Sequence, residues 1–192
     1  MSLSSRYILG IDPGTTVMGY GLVISQGNDL TLGPCGVLRL EKYNGYAIKL
    51  KKIFERTVSL IEEFKPDEVA LEAPFYGKNI QSMLKLGRAQ GVAMAAALQF
   101  QIPIFEYAPR KIKQSVTGHG NASKEQVAGI LTRLLNLKTK PEFLDATDAL
   151  AVAVCHIFQR TGGIASASSR GSRKNYSGWA DYVKENKGKA KG

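Results

Sequence analysis

The sequence predicts an α/β domain with a mixed, five-stranded sheet: three strand-like runs come first, and helical and strand-like segments then alternate to the end. Its 192 residues, 44% hydrophobic, suffice for one sizeable core. Four carboxylates stand at the ends or starts of apolar segments, where sites in such sheets are built.

The apolar run at 7–12 is closed by Asp12, Pro13 and Gly14, the pattern of a buried strand ending in a tight turn. Residues 17–25 and 30–40 read as two more strands about the turn signal at 26–29, so the chain opens with an antiparallel meander. Over 46–64, Ile48, Ile53, Phe54, Leu60, Ile61 and Phe64 recur at helical spacing with lysines between them; this predicts an amphipathic helix that Pro66 ends. Residues 68–72 read as a central strand, 79–100 as a long helix rich in Ala and Gly, and 104–107 as a short strand after Pro103. Ser123 and Gln126 have the capping-box pattern of a helix start, and 144–158 reads as the last helix.

The charge is strongly asymmetric. Lys and Arg number 26 against 16 Asp and Glu, a net charge of +10, which points to a polyanionic partner. No apolar stretch reaches spanning length and no signal-peptide pattern opens the chain, so a cytoplasmic protein without a membrane partner is expected. Cys35 and Cys155 lie far apart, which suggests neither a disulfide framework nor a thiolate zinc site. Composition divides the chain into a domain at 1–160 and a basic Gly/Ser/Lys-rich tail at 161–192. The tail has too few apolar residues to offset ordering entropy and is expected to be disordered, although Tyr176, Trp179 and Tyr182 among basic residues could stack on bases.

Each of the four acids has a plain reading when taken alone. Asp12 fits an ordinary turn, Glu72 a strand-end carboxylate reaching water, and Asp145 with Asp148 the acidic start of a helix. Jointly, three separate elements bring acids to one sheet edge, which capping does not explain. Such a cluster repels itself unless hard divalent cations, magnesium or manganese, neutralise it, and its chemical use is two-metal phosphodiester hydrolysis. Phe75 and Tyr76, between Pro74 and Gly77-Lys78, read as loop aromatics, equally suited to core packing and to base stacking. The run Arg110-Lys111-Ile112-Lys113, with Lys124 beyond it, is either a solvated face or a phosphate clamp. His119 and His156 lack a histidine or cysteine partner at metal spacing and read as non-ligands.

Over about residues 6–160 the chain resembles the bacterial RuvC-type Holliday junction resolvases. The residues that carry the likeness are the motif at 8–14 with Gly19-Tyr-Gly21, Glu72 with Phe75 and Lys78-Asn79, and the segments 84–93, 105–108, 116–120 and 145–151. The resemblance implies an RNase H-like fold with helices on both sheet faces, and magnesium-dependent nicking of four-way DNA junctions by a homodimer, with two ions per subunit. It implies metal and catalytic roles for Asp12, Glu72, Asp145 and Asp148, stacking by Phe75, and DNA contacts by Lys113 and Lys124; Tyr76, Lys78 and Arg110 are the further candidate DNA contacts. Some relatives have histidine where this chain has Asp148, and Pro74 and Tyr76 depart from the pattern around Phe75. Partners expected are junction DNA, a second copy and a branch-migration motor complex. The helix at 79–100, with Gly87, Gly91 and Ala95 to Ala97, is either a dimer surface reached through Ala93 or a helix packed on its own sheet. Rival functions are a related nuclease that processes ribosomal RNA and a non-catalytic junction-binding module.

Overall fold

The structure, a computed structural model, describes residues 4–74, 79–137 and 144–161. The meander consists of β1 (Arg6–Asp12), β2 (Val17–Gln26) and β3 (Asp29–Arg39). After it come α1 (Tyr46–Phe64), β4 (Glu68–Glu72), α2 (Ile80–Gln99), β5 (Ile104–Tyr107), α3 (Pro109–Thr117), α4 (Lys124–Leu134) and α5 (Leu144–Arg160). The strand order is β3-β2-β1-β4-β5, with the first three antiparallel and β1, β4 and β5 parallel. β1 is therefore paired on both sides, and its residues 8–11 are buried on both faces.

Side-chain alternation along β1 and β4 divides the core in two. Leu9, Ile11, Val69 and Leu71 pack with Ile53 and Leu60 of α1 and with Ala93 and Ala97 of α2. Ile8 and Ala70 point to the other face, where α3, α4 and α5 supply Ile112, Leu131, Leu150 and Val154. Asp12 and Glu72 each follow a residue of the α1/α2 face, so they fall on the α5 face.

Three glycines let α5 settle directly on the sheet. Gly10 pairs with Gly21, and Asp12 with Gly19, across β1 and β2. A Cβ on Gly10 would lie 2.0 Å from the Ala149 carbonyl oxygen, one on Gly19 2.0 Å from that of Asp145, and one on Gly21 2.6 Å from Leu150 Cδ2. No side chain fits between strand and helix there, which is the ordinary use of a glycine inside a strand.

A second tie holds α5 at its far end. Glu68, at the start of β4, is buried and accepts from Arg160 and from His156 Nε2, the latter at 2.7 Å, while Arg6 lies 3.7 Å away. His156 Nδ1 meets the Tyr107 hydroxyl at 2.7 Å, and Phe105 stacks on the ring at 4.4 Å.

The structure departs from the sequence-based expectations in two places and decides between the two readings of α2. α3 is a helix where only a run of cations was read; Pro109 in its first turn and left-handed Gly118, with φ 81°, delimit it. Ile48 is 49% exposed. It stands five residues before buried Ile53, about 140° around the helix, so it cannot share that face. On α2, Ala93 and Ala97 are buried with Leu9, Val69 and Leu71, so of its two readings the packing on the domain's own sheet holds at Ala93. Gly87 and Gly91 face open space instead.

Candidate active site

Ile11 pairs with Leu71 in parallel register, so Asp12 and Glu72 leave adjacent strand ends on one face. Asp145 and Asp148 come to them from the first turns of α5, whose position the glycine contacts dictate. One carboxylate oxygen from each of Asp12, Asp145 and Asp148 lies within 4.8 Å of the others. Glu72 stands outside that group of three but borders the same cleft, of about 250 Å³, with Asp12, Asp148, Lys113 and Lys124.

Electrostatics marks these acids as under-neutralised. Burial, then Asp148 and Asp145, push the Asp12 carboxyl up to about 7, with Lys124 opposing. Burial, then Asp12 and Asp148, raise Glu72 to about 7 against the pull of Lys124 and Lys113. Among the described residues Lys124 is the cation in contact: its Nζ donates to Asp148 Oδ2 at 2.5 Å. Although burial works against its charge, Asp148, Asp12 and Asp145 hold its ammonium above the usual lysine value. It is the first residue of α4, behind a complete capping box between Ser123 and Gln126 that fixes where the helix begins.

This donor set fits a hard divalent cation. All the ligands are carboxylate oxygens, and bonds of about 2.0–2.6 Å put the ligands of one ion roughly 3–5 Å apart, as the three aspartates are here. The expected phosphate clamp is gathered only in part: Lys113 and Lys124 line the cleft, whereas Arg110 packs beside Gly120. Phe75, Tyr76 and Lys78 lie outside the described residues, as does the tail from 162 onward. His156 is taken up by Glu68 and Tyr107, away from the cleft. Sequence reasoning missed the seating role of Gly10, Gly19 and Gly21; two glycines inside one predicted strand were the available signal.

A mixed sheet in the order β3-β2-β1-β4-β5, with acids at the ends of its central parallel strands and more delivered by a helix, defines an RNase H-like fold carrying a candidate cation site. The chain matches the family "Crossover junction endodeoxyribonuclease RuvC" over residues 8–156 and belongs to it. It is 61% identical over 186 residues to the crossover junction endodeoxyribonuclease RuvC of Cytophaga hutchinsonii, covering 97% of this chain and 88% of that protein. The Porphyromonas gingivalis relative of the same name is 57% identical over 194 residues and is matched along the whole of both chains. Among solved structures, RuvC of Thermus thermophilus in complex with Holliday junction substrate superposes with a TM-score of 0.76 at 32% identity, covering 82% of this chain and 96% of that one.

Proposed function

We propose that this chain is a cytoplasmic, magnesium-dependent endonuclease that resolves four-way DNA junctions in recombination and repair. Paired, symmetric nicks on opposed strands would leave 5'-phosphate and 3'-hydroxyl ends. The observation that carries the reading is the convergence of Asp12, Asp145 and Asp148 within 4.8 Å, beside Glu72, on a chain of net charge +10. The junction as substrate follows from the relatives, one of which is bound to Holliday junction substrate.

Asp12, Glu72, Asp145 and Asp148 are the residues that would hold two magnesium ions, with manganese an acceptable substitute. Ions bound there would supply a water nucleophile at neutral pH and charge stabilisation for the leaving oxygen. The protein's own contribution is placement and charge. Lys113 and Lys124 line the cleft and offset part of the repulsion that a phosphate meets from four acids. Arg110, on the same helix as Lys113, would hold phosphate farther along the strand. Phe75, Tyr76 and Lys78 follow Glu72 closely in sequence, which suits them to stacking and backbone contacts where the junction opens.

A homodimer suits a substrate with approximate two-fold symmetry, since each copy would present one site to strands of like polarity. The surface that supports it is α2. Ile80, Leu84 and Leu98 are 69%, 51% and 62% exposed along the stripe that Gly87 and Gly91 leave open to close approach. A branch-migration motor is a further partner class.

The test is a synthetic four-way junction in magnesium. Two nicks at symmetry-related positions on opposed strands, sealed by ligase, are expected. Equal cutting of linear duplex would overturn the resolvase reading while leaving a nuclease. Tight binding without cutting, in magnesium and in manganese, would make the chain a junction-binding module.

A further inference from the structure

Between Arg39 and Arg56 the sequence has six cationic side chains, Arg39, Lys42, Lys49, Lys51, Lys52 and Arg56, against Glu41 and Glu55. None of them lines the acidic cleft. The fold nevertheless ties this segment to the turn that follows Asp12. The Leu40 N–H donates to the Thr16 carbonyl at 2.7 Å, and Lys49 Nζ to the Thr15 carbonyl at 3.3 Å. α1 packs on the sheet face opposite to α3, α4 and α5, so these cations flank the site from the side that Lys113 and Lys124 do not.

Aromatic rings hold three of these cations, Lys42, Lys52 and Arg56, in place. Lys42 and Lys52 converge on the Tyr43 ring, with their Nζ atoms 5.2 and 5.8 Å from its centroid. Arg56 lies 4.7 Å from the Tyr20 centroid and donates to the Tyr20 hydroxyl at 2.7 Å. Gly36 makes room for that hydroxyl, because a Cβ there would lie 2.7 Å from it. Lys49, Lys52 and Arg56 are spaced to share one helix face. A lysine row on a helix is ordinarily only solvated, and Glu55 does answer Lys51 and Lys52, at 3.7 and 2.8 Å. This row differs in being anchored to the turn beside the acids and pre-ordered by rings, which lowers the side-chain entropy lost when a phosphate binds.

We propose that Lys42 and Lys52, held by Tyr43, Arg56, held by Tyr20, and Lys49, held by the Thr15 carbonyl, form a phosphate-backbone track for the DNA that leaves the cleft on the α1 side. The duplex is then gripped on both sides of the scissile phosphate. The polymer's identity rests on the junction-nuclease reading. The contacts are to backbone, so the track adds affinity and orientation but no sequence preference.

The experiment compares Lys42→Gln/Lys52→Gln with Lys42→Arg/Lys52→Arg and the unmodified protein, measuring junction affinity in EDTA over a range of salt. The glutamine pair is expected to lower the slope of log K against log salt by about two and to weaken binding on the order of tenfold or more at ~0.1 M salt. The arginine pair is expected to keep both. An unchanged slope in the glutamine pair, or an arginine pair as weak as the glutamine pair, would overturn the track. The same titration on linear duplex keeps the two readings apart. If the unmodified protein shows no preference for the junction, the resolvase reading fails, while the slope difference between variants on duplex still decides the track.

Discussion

β4 and α5 meet through acidic side chains at both ends, and the two meetings are built in opposite ways. At one end Glu72 and Asp148 share a cleft with Asp12, Asp145 is near, and Lys124 is the cation in contact. At the other, Glu68 is answered by Arg160, Arg6 and His156, all from within the chain. Burial, with Arg6 adding to it, lowers His156 to about 4, so the ring is neutral at pH 7. Nε2 then donates to Glu68, and Nδ1 accepts from the Tyr107 hydroxyl. A buried carboxylate that serves the fold is satisfied by the protein, whereas among the described residues those of the cleft are answered only in part, by Lys124 and Lys113.

The largest expected effect is at the open end. Asp12→Asn or Asp148→Asn is expected to cut the single-turnover nicking rate of a four-way junction at least about a hundredfold, since loss of a proposed metal ligand should exceed the loss of an outer partner. Junction binding, followed by mobility shift, should persist. Next is Gly10→Ala, which forces a methyl to 2.0 Å from the Ala149 carbonyl oxygen and so lifts α5 from the sheet. About 3 kcal/mol of stability is expected to be lost in urea unfolding, with nicking lost alongside because Asp148 moves with its helix. At the closed end, His156→Leu removes the donor to Glu68 and the acceptor for Tyr107, at an expected cost of roughly 1–3 kcal/mol. That variant should keep most of its nicking while it remains folded; loss of nicking without loss of stability would break the division between the two ends.

The two ends also respond to pH with opposite sign, a smaller effect. In metal-free protein Asp12 and Glu72 keep their protons up to about 7, whereas the ordinary values are 3.8 and 4.5. As pH rises from about 4 through 7 the unfolded chain releases protons that the folded one keeps, so their contribution to stability falls. For His156 the folded value of about 4 lies below the ordinary 6.5; as pH drops through that window the unfolded chain takes up a proton that the folded ring refuses, and stability again falls. Thermal unfolding in EDTA across this range should show the upper loss reduced in Asp12→Asn and the lower loss reduced in His156→Leu.

The open end was legible in the sequence because acids with a chemical use must interrupt apolar runs, and Asp12 and Glu72 do so at strand ends. The closed end was not. Glu68 sits on the same strand, but its partners His156 and Arg160 lie 88 and 92 residues away, and nothing local distinguishes a satisfied carboxylate. The strands and the long helices followed from periodicity, whereas the strand order β3-β2-β1-β4-β5 did not. α3, with Ile112 and Val116 as its buried residues, was too short to register as a period. The seating of α5 is likewise a tertiary fact: Gly10 and Gly19 matter through the backbone, and Gly21 through the Leu150 side chain, of a helix more than a hundred residues away, and in a strand they register locally only as weak formers.

Among the described residues Lys124 and Lys113 offset the cleft carboxylates only in part, which leaves room for a divalent cation. The melting temperature at pH 7.5 as magnesium is titrated, for the unmodified protein and Asp12→Asn in parallel, decides whether one binds there. A ligand that binds the folded state alone raises Tm as it saturates. A rise in the unmodified protein that Asp12→Asn largely abolishes is predicted; no rise, or the same rise in both, would mean that these acids do not hold the ion.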